Sequence, residues 1–211
     1  MRKLIQRLTG NVPTESSTGG DSMYFSTMFH DALEEREAVI SWTKRGSEVG
    51  AVPFNADAGA KLFTHLWGAD KHLASLDETD LGYLSQSMQY VSLPPNSEVI
   101  KQDEQGDYMF IVLEGTLAVD RLQPWGGRAR LAEARAGDML GEMSLLDAGA
   151  RFSACTTLTA CTMAVLDAQA LDRLMDTKPR LAAALLASLG RRLSLSLRQV
   201  SARLGALLSR D

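Results

Sequence analysis

The spacing of apolar and polar positions changes three times along this chain. From Met23 to Arg45, Phe25, Phe29 and Leu33 recur at four-residue intervals around a charged DALEERE stretch, the spacing of an amphipathic helix. Residues 46–60 (GSEVGAVPFNADAGA) carry no period and read as loop, and helical spacing returns from Lys61 to Leu73. In SLDETDLGYLSQSM, Asp77 is placed to cap a helix, with Asp80 three residues on as a variant of the capping box. Residues 23–88 are therefore expected to form a helical N-terminal region. Before it, TGNVPTESSTGGDS has linker composition, so residues 1–22 are expected to be a flexible segment.

From Gln89 the text becomes short and β-prone: QYVSL, EVIKQ, MFIVLEG, TLAVDRL, ARLAEAR, FSACTTL and CTMAVLD. Turn signals separate these bursts (PPNS, EQGD, EG, QPWGG, AGD), and such recurrence predicts an all-β sandwich or barrel over residues 89–167. Gly115 interrupts strand text and marks a tight hairpin or a bulge. From Ala168 helical text resumes. AQALDRLMDTKP predicts a short helix ending near Pro179. Leu186, Leu189, Leu193, Leu197, Val200, Leu204 and Leu207 then follow near-heptad spacing. That stripe fits a helix packed on its own domain, and its length favours one that also meets a second copy. A homodimer through residues 180–208 is the expectation.

Composition narrows the function classes. A net charge of −4 argues against nucleic acid as the main partner, and no apolar run of membrane-spanning length occurs. Cys155 and Cys161 lack metal-site spacing and read as reduced core thiols of a cytoplasmic protein. His30, His65 and His72 are scattered, with no accompanying Cys or carboxylate cluster, so no metal is expected. No nucleophile triad, phosphate-cradling lysine loop or carboxylate pair in one apolar setting is evident, so the chain is not expected to be an enzyme. From Lys178 to Asp211 there are seven Lys or Arg and one Asp, which either attracts an acidic partner or solvates a dimer helix.

One stretch carries chemistry: GEMSLLDAGARFSAC, residues 141–155. If Gly141 ends a strand, EMSLL is about one helical turn whose first N–H groups attract an anion. Gly141 lets a ligand lie against the backbone, and Arg151 can fork two N–H donors onto that anion. Glu142 repels a phosphate but accepts from hydroxyls beside one. A sugar phosphate meets both demands. A salt bridge between Glu142 and Arg151 is the structural alternative.

Gly141, Glu142, Met143, Ser144, Leu145 and Arg151, preceded by Gly137-Asp138, Gly115 and Gly106-Asp107, resemble the phosphate-binding cassette of the cyclic nucleotide-binding domain family. The resemblance covers residues 65 to 205. It implies a double-stranded β-helix (jelly-roll) barrel, mainly β, flanked by N-terminal helices and a long C-terminal helix at 168–211. It implies that Glu142 binds the ribose 2′-hydroxyl and Arg151 the exocyclic phosphate oxygens. Amides at Met143, Ser144 and Phe152 or Ser153 would complete the cradle.

The family usually places a small residue after the arginine, where this chain has Phe152, so either the strand shifts by one residue or the ring turns away. GRRLSLSLRQV (190–200) resembles the dimer helix of bacterial catabolite-activator-type regulators, which implies that Arg192 folds over the ligand and Ser196 contacts the base, unless Ser196 is an incidental surface residue. No DNA-binding domain is expected after this helix. The implied protein is a sensor of cAMP or cGMP, cAMP first, without other cofactor, signalling to an unidentified protein partner. The alternatives are a scaffold protein with a degenerate pocket, plugged by Phe152, or a sensor of a cyclic dinucleotide. A cupin-type enzyme would need barrel histidines, and residues 89–167 contain none.

Overall fold

The structure is a computed structural model and describes residues 38–209. The helix expected on Phe25, Phe29 and Leu33 and the segment 1–22 lie outside the described residues. In chain order the elements are α1 (Trp42–Glu48), β1 (Val52–Pro53), α2 (Ala56–Trp67), α3 (Glu78–Gln86), β2 (Gln89–Leu93), β3 (Glu98–Ile100), β4 (Tyr108–Glu114) and β5 (Leu117–Leu122). They continue with β6 (Arg128–Ala134), β7 (Met139–Leu140), α4 (Glu142–Asp147), β8 (Ala154–Thr157), β9 (Cys161–Asp167), α5 (Ala168–Thr177) and α6 (Pro179–Leu208).

The strands form two antiparallel sheets, ordered β1-β2-β9-β4-β7 and β3-β8-β5-β6. The expected jelly-roll barrel is thus an open roll of two sheets. The edge strands β1 and β7 have two residues each and β3 has three, which is too short to carry pairing across to the other sheet. The strand β4 explains how the layers are built. Its run YMFIVL is buried on both faces. Tyr108, Phe110 and Val112 point between the two sheets, where Val99, Leu117, Met163 and Val165 meet them. Met109, Ile111 and Leu113 point the other way, into a second core with Trp67, Leu171, Leu181, Leu185 and Leu189 from the helices. Both faces covered makes a continuous apolar run, the text that MFIVL presents.

Local chemistry fixes most helix starts. Asp77 accepts from the Asp80 amide at 2.7 Å to start α3, as its sequence predicts, and Asp167 accepts from Ala170 N at 2.7 Å to start α5. The region read as loop at 46–60 is corrected: it contains the end of α1, all of β1 and the start of α2. Asn55 caps α2 by accepting from Ala58 N at 2.9 Å, and Ala56 to Ala60 are too small to show a hydrophobic period. The same helix ends at Trp67 rather than reaching Leu73. The strand read at FSACTTL begins only at Ala154, because Phe152 and Ser153 form a bend.

In α6 the expected stripe divides. Leu181, Ala182, Leu185, Ser188 and Leu189 are buried on the domain, whereas every residue from Ser194 to Ser209 is exposed. Leu195, Leu197, Val200, Leu204, Leu207 and Leu208 therefore stand in water in the single chain. None of the helices among the described residues is long and apolar enough to cross a membrane.

Candidate functional site

The stretch between β7 and β8 lines one cleft of about 130 Å³. Its walls are Gly141, Glu142, Met143, Ser144, Arg151, Phe152 and Ser153, all seven singled out from sequence, together with Ile100, Val119, Met139, Leu140 and Cys155. Gly141 enters α4 in the left-handed conformation at φ 79° and offers no capping side chain to the first amides of α4. A Cβ on Gly141 would stand 2.7 Å from Nη1 of Arg151. On α4, Leu145 is fully buried in the helix-side core while the exposed Met143 faces the cleft.

Arg151 is 3% exposed, and its setting could not be read from the cassette alone. Its Nη1 donates to the carbonyl of Gly141 and its Nη2 to the carbonyl of Tyr108, both at 2.8 Å, and the guanidinium lies 4.5 Å from the Tyr108 ring centroid. Two of its five N–H donors are thereby used, and three have no acceptor among the described residues. Gly106 makes the seat: a Cβ there would meet Nη2 at 2.5 Å, Nε at 2.6 Å and Cζ at 2.8 Å. The backbone of Arg151 is also fixed, because its N–H donates to Glu104 O at 2.8 Å and its carbonyl accepts from Asp103 N at 2.8 Å. Burial pulls the guanidinium below its usual pKa range, and neighbouring Tyr108 and Asp107 counter part of that effect. Burial, then the charge of Asp167, raises the Asp107 carboxyl, whose Oδ1 is buried with no hydrogen-bond partner among the described residues.

Glu142 is the acid of the site. Burial raises its carboxyl above the ordinary range, against the pull of its own amide and of the Arg151 charge. No ion pair joins Glu142 to Arg151 among the described residues, so the salt-bridge alternative is not adopted. The two groups face the same cleft with donor and acceptor capacity to spare. The Cys155 thiol, also at the cleft, is pushed up to about 12 by burial and is no thiolate.

The raised acid yields a two-part expectation. A carboxyl raised in the folded state favours stability below its unfolded pKa, and that contribution is lost as pH rises through the folded value. At neutral pH the charge therefore costs stability. Glu142→Gln is expected to raise Tm of the unliganded protein at pH 7 and to lose that advantage at pH 4. The same variant is expected to weaken binding of a ribose-containing ligand about tenfold, one charge-assisted hydrogen bond. Thermal melts and calorimetric titration read the two effects.

Phe152 does not plug the cleft. Its side chain sits at the rim, 52% exposed, with the guanidinium of Arg121 at 4.1 Å from its ring centroid, and Arg121 Nη1 donates to its carbonyl. Of the two openings the sequence left, the ring turns outward, and the bend at 152–153 carries the backbone past it.

Two expected site residues lie outside the cleft of the single chain. Arg192 does not fold over the cleft: it donates Nη1 to Gly137 O at 3.1 Å, stacks 3.9 Å from the Trp67 ring centroid and lies 3.7 Å from the buried Asp70 carboxyl. Trp67 Nε1 donates to the same Gly137 carbonyl at 3.0 Å. Arg192 thus ties α6 to α2 and to the turn before β7. Ser196 is exposed on the free half of α6 and is no part of the cleft within one chain. Sequence reasoning missed Gly106 as the seat of the guanidinium, Tyr108 as its ring and carbonyl partner, and Arg121 at the rim. The glycine of Gly106-Asp107 was visible; its purpose depends on a side chain 45 residues on.

Residues 90–178 match the family model described as cyclic nucleotide-binding domain. The chain is 30% identical over 118 residues to the CRP-like cAMP-activated global transcriptional regulator of Mycobacterium tuberculosis, covering 56% of this chain and 53% of that protein. It spans about half the length of the curated relatives it matches. Among solved structures, a cyclic nucleotide-binding domain from Methylobacillus flagellatus matches with TM-score 0.68 and 26% identity, over 72% of this chain and 86% of that one. The Thermus thermophilus catabolite activator protein matches with TM-score 0.53 and 26% identity, over 62% of each chain.

Proposed function

Residues 90–178 match the model of the cyclic nucleotide-binding domain family, and from that premise we propose that the chain is a non-enzymatic, cytoplasmic regulatory protein that senses a cyclic nucleotide, cAMP first. The carrying observation is that Glu142, Arg151 and the uncapped start of α4 share one cleft. Arg151 and the amides of Met143, Ser144 and Phe152 or Ser153 take the cyclic phosphate, and Glu142 takes the ribose 2′-hydroxyl. The name of the Mycobacterium tuberculosis relative, cAMP-activated, supports the choice of base. The half-exposed ring of Phe152 favours this reading over that of a plugged scaffold. Calorimetric titration of the purified chain with cAMP and cGMP tests it; the expected result is saturable heat at a stoichiometry of one per chain.

Transmission runs through Leu145. It lies in the same core as Leu181, Leu185 and Leu189 of α6, so movement of the cassette toward a bound phosphate changes what α6 packs against. The ligand shifts this equilibrium only by its differential affinity for the two packings. Arg192 and Trp67, sharing the Gly137 carbonyl, tie the same helix to the strand entering the cassette.

The exposed stripe Leu197, Val200, Leu204 and Leu207 seats a second copy and makes the homodimer through residues 180–208, and Ser196 of one protomer then reaches the base held by its partner. The dimer presents the signal to a protein partner. The double variant Leu197→Glu, Leu204→Glu is expected to sediment as a monomer while residues 38–190 stay folded by circular dichroism, because the substituted positions are exposed among the described residues.

A further inference from the structure

The family cassette accounts for phosphate and ribose, and it leaves the far rim of the cleft unexplained. Phe152 lines the cleft there, and Arg121 stacks on its ring. The strand β5 pairs in continuous register with β8, from Leu117 opposite Thr157 to Asp120 opposite Ala154. Side chains alternate along it: Leu117 and Val119 face the space between the sheets, Val119 lines the cleft, and Asp120 turns away to meet Arg130 and Arg128. The next residue, Arg121, returns to the cleft side one step beyond Val119, opposite the bend at Ser153. Its guanidinium is held there from two directions, by the Phe152 carbonyl and by the Phe152 ring at 4.1 Å. The fork has no other hydrogen-bond partner among the described residues, so two of its nitrogens keep their donor capacity.

We propose that Arg121, seated by Phe152, reads the exposed edge of a purine base bound in this cleft and brings cGMP into the ligand range beside cAMP. This inference rests on the cyclic nucleotide reading above. With phosphate and ribose held by the cassette, the base leaves the cassette end and extends toward the opening of the cleft. A guanidinium fork suits two adjacent acceptors. Guanine presents N7 and O6 on one edge; adenine presents N7 beside an amino donor, which a guanidinium cannot accept from. The aromatic residue after Arg151 thereby gains a use. Where a small residue would leave the rim open, the Phe152 ring fixes a cation at a set height above the cleft.

Titration of the full chain with cAMP and with cGMP, for the wild type, Arg121→Ala and Arg121→Lys, tests the proposal. Arg121→Ala is expected to weaken cGMP about tenfold more than cAMP, the low end of what a bidentate base contact discriminates. Arg121→Lys, which keeps charge and loses the fork, is expected to follow the alanine variant. Phe152→Leu, which removes the seat and keeps the arginine, is expected to move the cGMP to cAMP ratio the same way. Equal weakening of both nucleotides, or an unchanged ratio, overturns the reading of Arg121 as a base contact. Binding of neither nucleotide to the wild-type chain overturns the assignment of the cleft itself, which is a separate and distinguishable result. Melting curves of each variant establish that the fold is kept.

Discussion

Arg151→Ala is expected to lower affinity for a cyclic nucleotide at least a hundredfold, to the loss of measurable heat at micromolar protein. Two charge-assisted hydrogen bonds to phosphate oxygens, at about 1.5–3 kcal/mol each, amount to two or more powers of ten. The same substitution also withdraws the donors that hold the carbonyls of Gly141 and Tyr108. A drop in Tm of several degrees is therefore expected without any ligand, since each buried acceptor left unpaired costs about 1–3 kcal/mol. Arg151→Lys separates the two effects. It keeps the charge, loses the fork, and is expected to recover part of the ligand affinity and little of the Tm. Wild-type heats in Arg151→Ala would remove the guanidinium from the ligand site.

The second large effect is steric and comes from a residue with no polar side chain. Gly106→Val is expected to abolish binding and to destabilise the protein by about 1–3 kcal/mol, the usual cost of overpacking. The first carbon added at Gly106 falls within 2.8 Å of three guanidinium atoms of Arg151, against an ordinary contact of about 3.5–4.0 Å. Neither party yields easily. The guanidinium is held by two carbonyls and the Tyr108 ring, and the loop carrying Gly106 is held by Ile40 N donating to Gln105 O at 2.8 Å and by the Arg45–Glu104 ion pair. A double-mutant cycle makes the mechanism explicit. In the Arg151→Ala background the valine has space to occupy, so its further cost is expected to be small. Additive losses of stability in the double variant would show that the valine acts elsewhere.

The Gly106–Arg151 contact also shows why the cassette was readable from the sequence and its support was not. Gly141, Glu142 and Arg151 lie within eleven consecutive positions, and the spacing alone brings the acid and the turn together. The seat behind Arg151 comes from Gly106 and Tyr108, on a loop and strand far along the chain. A glycine announces that something passes close by without saying what. Arg192 shows the opposite error. Its place in GRRLSLSLRQV resembles that of a ligand contact, and no local pattern could reveal that Trp67, 125 residues earlier, would offer its ring face at 3.9 Å.

What the sequence by itself determined is whatever depends on neighbours a few residues apart. That covers the caps at Asp77 and Asp167, the hairpin at Gly115 (φ 91°), the strand text of β4 and β9, the unbroken length of α6, and the glycine, acid and arginine of one short loop. What only the tertiary structure decided is what each of these elements faces. The period of β4 permits two buried faces, and the packing chose which one meets the helices. The α6 stripe was one pattern in the text, and it became a buried half and an exposed half where the domain beneath it ended. Arg121 was one cation among many until the bend at 152–153 brought a ring beneath it. The reason is physical: side-chain chemistry and backbone preference act over one or two turns, whereas burial and charge pairing depend on distances through space, which the chain sets only by folding.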